Sequence, residues 1–229
     1  MDSKLKIGTS ALLCALGLSL GQAANAAVSY GDYIGTTVTF ADVVEASGDP
    51  IEDPEPLYGA PTVSGDTLDF NPTAGFAADA PPTDTTDGAL TFTLESNTAS
   101  PIAETMVISE SGTFEFTGVG AGELVVARLL VQVFDLTGTL LATDQQFYLN
   151  SYTGSAGETG TWSLTSSIDL TPFDATAVNV VVNNVLQTTG IGPAEVIIAK
   201  TDFDIDVPEP ASAALLGGLG LLALRRRSA

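Results

Sequence analysis

Between Ala27 and Val207 apolar and polar residues alternate with a period of two. That spacing places successive side chains on opposite faces of a strand. Thr37-Val38-Thr39-Phe40 alternates, and Leu90, Phe92 and Leu94 face one way with Thr91 and Thr93 between them. Phe114 and Phe116 alternate with Thr113, Glu115 and Thr117, and Trp162 and Leu164 with Thr161, Ser163 and Thr165. Val178, Val180 and Val182 run through the Asn-rich stretch Asn179 to Asn184. Leu124 to Phe134 and Val196 to Ala199 are apolar on both faces, as central strands are. Asp135-Leu136-Thr137-Gly138 predicts a hairpin between Leu124–Phe134 and Thr139–Leu149. Ser111-Gly112 reads as a break between Thr105–Glu110 and Thr113–Thr117, and Asn150 to Gly160 and Gly190 to Pro193 read as loops. About ten short strands at this spacing predict an all-β fold, a single jelly-roll-like β-sandwich over 27–206. Residues 46–88, rich in Pro, Asp and Gly, read as long acidic loops decorating it, with structured features in the middle stretch Leu57 to Pro72.

The two ends break the pattern. Lys4 and Lys6 precede an apolar run from Ile7 to Leu20, and Ala24-Asn25-Ala26 follows. That is the layout of a secretory signal peptide over 1–26, with an A-x-A site cut by signal peptidase after Ala26. At the other end Val207-Pro208-Glu209-Pro210 precedes an uncharged run from Ala211 to Leu224, and Arg225, Arg226 and Arg227 follow. As a helix rising about 1.5 Å per residue, that run falls short of a hydrocarbon core of about 30 Å. The arginines would stay on the cytoplasmic side. The pattern predicts a marginal, tail-anchored, exported chain.

The C-terminal segment resembles the PEP-CTERM sorting signal, which joins a Pro-Glu-Pro motif, a short apolar helix and an arginine cluster. Here the motif is Val207-Pro208-Glu209-Pro210, the helix 211–224 and the cluster Arg225 to Arg227. The resemblance implies an exosortase in the inner membrane that reads the tail and removes it, so that the inner-membrane anchoring is transient. It also implies release to the cell surface or extracellular matrix of a Gram-negative bacterium that makes exopolysaccharide and biofilm. Leu57 to Pro72 is similar to a segment that recurs in cargo domains carrying this tail, and that likeness brings no active site with it.

Charge then narrows the function. The chain holds 28 acids against 7 bases, a net charge of −21, with no histidine and one cysteine. Between the two end segments the only bases are Arg128 and Lys200. Nucleic-acid binding through a basic face is excluded. So are a histidine general base and a Cys/His zinc site. Cys14 lies in the leader, so disulfides do not hold the mature chain. No G-x-S-x-G elbow occurs between Ala27 and Val207, and no pair of acids stands out as a glycosidase couple. The reading is a protein that is not an enzyme, structural or adhesive in an exopolysaccharide matrix. A carbohydrate-binding jelly-roll module is the alternative, and a secreted hydrolase a distant third.

Two sets of residues carry candidate chemistry. Asp202, Asp204 and Asp206 share one face of a strand, and their carboxylates suit Ca²⁺, which takes six to eight oxygen ligands. The plain alternative is a charged edge that deters strand-to-strand aggregation. Such a row repels itself unless a cation or Lys200 compensates it. For glycan contact the candidates are aromatic platforms. Tyr152 in its Gly/Ser loop and Trp162 lead, with Tyr58 and Tyr148 behind, and core packing is the plainer reading of Trp162.

Overall fold

The structure is a computed structural model describing residues 27–208, apart from 49–52, 73–75, 81, 118–121, 153–156 and 191–194. The signal-peptide helix and the apolar helix 211–224 fall outside the described residues, as do Ala24, Ala26, Glu209, Pro210 and Arg225 to Arg227. Among the described residues no helix is long and apolar enough to cross a membrane.

Among the described residues twelve strands form: β1 (Val28–Ile34), β2 (Val38–Ser47), β3 (Thr62–Ser64), β4 (Thr67–Phe70), β5 (Ala77–Ala80), β6 (Thr83–Ser96), β7 (Thr105–Phe116), β8 (Leu124–Phe134), β9 (Leu140–Ser151), β10 (Glu158–Asp169), β11 (Ala177–Thr189) and β12 (Val196–Asp206). One sheet runs β1-β2-β6-β11-β8-β9 and the other β10-β7-β12-β4-β3, with β5 also paired to β12. Every pairing is antiparallel. The two sheets make a β-sandwich whose inner faces supply the core. Phe40, Leu90, Leu94, Val131 and Val182 come from one sheet, and Phe116, Met106, Ile108, Phe203 and Ile205 from the other. The alternating runs land as expected, with Trp162 and Leu164 inward on β10 and Val178, Val180 and Val182 inward on β11.

The predicted hairpin forms between β8 and β9. Asp135 organises it: its carboxylate accepts from the Thr137 and Thr139 amides at 2.9 and 2.8 Å and from the Thr137 hydroxyl at 2.7 Å. Gly138 takes the positive φ, 86°, that such a turn requires. The same bonds, to Thr137 and to the Thr139 amide, hold the Asp135 carboxyl below its ordinary range.

Two expectations need correction. Residues 46–88 are more than decorating loops: they supply β3, β4, β5 and the start of β6. Leu57, Tyr58, Leu68, Phe70 and Phe76 from this segment are buried to 1% exposure or less. Prolines and acids dominate its composition, but the apolar residues between them fall where the second sheet needs them. Ser111-Gly112 is no break either, since β7 runs through both. A Cβ on Gly112 would lie 1.9 Å from the Ala199 carbonyl oxygen and 2.7 Å from Trp162 Nε1. The glycine permits close approach of a neighbouring strand and of the indole, a use that sequence cannot distinguish from a turn.

Gly112→Ala is therefore expected to overpack this point and destabilise the fold by about 1–3 kcal/mol. The check is a urea midpoint that falls while the slope of the transition stays unchanged.

Candidate functional site

The aspartate row sits on β12, opposite β4 and β7. A register shift between Lys200 and Asp202 turns the alternation over, so Lys200 points into the core while Thr201 and Asp202 are both exposed. Phe203 and Ile205 then face the core, as expected, and Asp202, Asp204 and Asp206 lie on the opposite face. Pairing brings in a further carboxylate: Asp69 stands across from Asp204. Asp69, Asp202 and Asp204 have ligand oxygens within 4.8 Å of one another. Asp206 is engaged separately, accepting from the Thr67 hydroxyl at 2.7 Å. Partial burial, and then the charges of Asp202, Asp69 and Asp206, push the Asp204 carboxyl above its ordinary range. Lys200 does not relieve this repulsion, because it faces the other way. The three acids are hard oxygen ligands that would fill part of a calcium shell, the remainder coming from water or from an acidic polymer.

The aromatic candidates are mostly internal. Tyr152 is 5% exposed and Trp162 2%, so neither offers a ring face to a sugar. Tyr152 packs on Phe116, and the Trp162 Nε1–H donates to the Ala199 carbonyl at 3.2 Å. Tyr58 is fully buried. Tyr148 is half-buried against Phe114 and Trp162. The exposed aromatic is instead Phe147 on β9, beside exposed Leu149 on the same face. Sequence gave little warning of this. Phe147 and Tyr148 lie on opposite faces of one strand, and only the packing of β9 decides which is covered.

A polar network unforeseen in the sequence crosses the core. Lys200 Nζ lies 2.6 Å from Glu110 Oε2, with both side chains at 1% exposure or less. Asn184 on β11 donates through Nδ2 to the same oxygen, also at 2.6 Å. The Tyr58 hydroxyl donates to Asn184 Oδ1 at 2.6 Å, with the Gly88 carbonyl 3.1 Å away. A Cβ on Gly88 would come within 3.1 Å of the Tyr58 ring, so the glycine makes room for it. Glu45 extends the network, accepting from the Leu57 and Tyr58 amides and, at 2.5 Å, from the Tyr30 hydroxyl. Phe76, Phe203 and Tyr58 enclose the ammonium, with centroids 4.2, 5.0 and 5.1 Å from Nζ. Burial pushes Lys200 down to about 8, against the opposing pull of Glu110, and raises Glu110 against the pull of Lys200 and Asn184. A signal for the lysine was visible, as one of two bases amid many acids, but none for its partners.

Where the chain leaves the sandwich, Asp206 closes β12 and Val207 is fully buried. The Val207 amide donates to the Asp66 carbonyl at 3.0 Å. The Asp66 carboxylate in turn accepts from the Thr37 amide at 2.8 Å and the Thr37 hydroxyl at 2.5 Å, at the entry to β2. Pro208 is already exposed. The family model for the PEP-CTERM protein-sorting motif matches residues 206–228. The chain carries a PEP-CTERM sorting motif. The motif supports export of this chain, anchoring in the membrane before processing, and sorting by exosortase. The PEP-CTERM motif begins inside the folded domain: Asp206 and Val207 belong to both.

No curated protein matches the chain. Among solved structures, one of the infectious bursal disease virus Gt strain is similar at 12% identity and a TM-score of 0.31, covering 84% of this chain and 36% of that one. A second, of the T13 particle of the same virus, is similar at 12% identity and a TM-score of 0.24, covering 77% of this chain and 50% of that one. The chain thus spans 36% and 50% of these structures' chains. At these TM-scores neither likeness bears on the architecture or on function.

Three outcomes are expected. Asp204 titrates higher folded than unfolded, so it favours the fold in acid and that benefit is lost as pH rises through its raised value. Asp204→Asn should raise the melting temperature at neutral pH and leave it unchanged in acid, in melts compared across pH at low salt. Val207→Ala should cost about 2 kcal/mol, two methyl groups at roughly 0.8 kcal/mol each plus a small cavity. Glu209→Ala should leave stability untouched and lower the amount of processed protein. Denaturation and fractionation of cells carrying each variant separate the two effects.

Proposed function

We propose that the chain is a non-enzymatic structural or adhesive protein of an exopolysaccharide or biofilm matrix, delivered to the cell surface by its PEP-CTERM tail. The sorting motif joined directly to a single acidic sandwich carries this reading. The domain is the cargo, and its outer surface is what reaches the matrix. With 26 acids against two bases, residues 27–207 carry a net charge of −24, which keeps such a domain soluble while repelling an anionic polysaccharide unless divalent cations intervene. Asp69, Asp202 and Asp204 supply a place for calcium to bridge protein and polymer.

A second reading, a carbohydrate-binding module of jelly-roll type, draws on the exposed Phe147 beside Leu149. An apolar ring face with free approach is the surface that sugar stacking uses.

Binding of the purified exported protein to extracted exopolysaccharide, in millimolar calcium and then in chelator, separates the two. Under the matrix reading, calcium sustains binding, chelator abolishes it, and an Asp69→Asn, Asp204→Asn double variant weakens it severalfold. Under the second reading, a defined neutral glycan binds regardless of calcium and Phe147→Ala releases it. Turnover of any glycan would overturn both.

A further inference from the structure

The buried network holds the parts of a chemical reaction. Lys200 provides an amine, Asn184 a carboxamide and Glu110 a carboxyl, all inside a core that excludes water. One oxygen, Glu110 Oε2, lies 2.6 Å from Lys200 Nζ and 2.6 Å from Asn184 Nδ2. The other, Oε1, is buried without a partner among the described residues. The Tyr58 hydroxyl, 2.6 Å from Asn184 Oδ1, is aimed at the oxygen that gains charge when a carboxamide is attacked. The order amine, shared acid, leaving nitrogen, oxygen donor is the one that acyl transfer requires.

We propose that Lys200, Glu110 and Asn184 form an internal amide bond, Lys200 Nζ to Asn184 Cγ, that releases ammonia and joins the two sheets of the sandwich covalently.

The steps balance without an added reagent. In the dry core the ion pair collapses by proton transfer from Lys200 Nζ to Glu110 Oε2, leaving a neutral amine and a neutral acid. The lowered Lys200 and raised Glu110 favour this state. The amine lone pair attacks Asn184 Cγ, and the charge that develops on Oδ1 is held by the Tyr58 hydroxyl. Glu110 gives its proton to Nδ2 and takes one from Nζ, a transfer that a single oxygen between both nitrogens can make. The Cγ–Nδ2 bond then breaks and ammonia leaves. One amide N–H remains on Nζ, and Glu110 ends protonated. Exclusion of water protects the product from hydrolysis.

Position in the fold gives the bond its effect. Asn184 lies on β11, in the middle of one sheet, and Lys200 on β12, in the middle of the other. Facing sheets, about 10 Å apart, are otherwise held together by non-covalent side-chain packing and hydrogen bonds. A covalent tie between their central strands would oppose sliding and separation. The mature chain has no cysteine for a disulfide, and the reaction needs no oxidant.

Peptide mapping of the exported protein tests this directly. Glutamyl endopeptidase cuts after Glu195, which lies between the two residues. The expected result is one branched species in which the Asn184 peptide and the Lys200 peptide stay joined, lighter than their sum by one ammonia, with trypsin failing to cut after Lys200. Separate, unmodified peptides would overturn the proposal. Loss of water with Lys200 joined to Glu110 would overturn the choice of Asn184 as acyl partner. Glu110→Gln is expected to abolish the cross-link and lower the melting temperature while strand content by circular dichroism persists. A Glu110→Gln protein cross-linked as fully as the parent would overturn the role given to the acid. Because the mapping is done on the unaltered protein, a variant that fails to fold leaves the main result intact.

Discussion

Burying the Lys200–Glu110 pair constrains everything packed around it. Two charges withdrawn from water are tolerated only when paired and hydrogen-bonded on good geometry. That geometry demands that β7, β11 and β12 hold their registers, because Glu110, Asn184 and Lys200 come from those three strands. It demands the bulge after Lys200, which turns the lysine inward while keeping the aspartates outward. It also demands Gly88, where a side chain would displace the Tyr58 ring that caps the network. A slip of one residue in β7 or β12 would leave a buried charge unpaired, and one in β11 would remove the Asn184 bond to Glu110. The pair thereby selects one register among those that an alternating sequence tolerates.

The network also explains the segment 46–88. Its prolines and acids carry a chain that returns to the core at Leu57-Tyr58, at Leu68 and Phe70, and at Phe76. Glu45 accepts from the Leu57 and Tyr58 amides, so backbone groups without a strand partner are satisfied by a buried carboxylate. Tyr58, Phe70, Phe76 and Phe203 then pack edge to face, with centroids 5.0 to 5.9 Å apart. Irregular sequence here supplies three fully buried aromatics, Tyr58, Phe70 and Phe76.

The exit of the chain follows from the same economy of contacts. With Val207 in the core and its amide bonded to Asp66, the last strand continues into the sorting motif without a spacer. Pro208, the first proline of the motif, thus follows the last core residue directly and is exposed. The role of Val207 as a core residue is independent of its place in the motif.

The all-β class, the period of the strands, the β8–β9 hairpin and the sorting tail were legible in the sequence by itself. Each rests on local chemistry: alternation, Asp and Gly in a turn, or a linear signal read by another protein. The tertiary structure alone decided the rest, since it depends on residues far apart in the chain. Composition made 46–88 look like loop, but burial of five apolar residues made it core. Gly112 looked like a turn until Trp162 and Ala199 came to rest against it. The acid row kept its face but took Asp69 as a member, because cross-strand pairing, not spacing, sets which carboxylates meet. Lys200 looked like a possible counter-charge to that row. One extra residue in the strand, invisible to any periodicity, carried it through the sheet to Glu110 and Asn184.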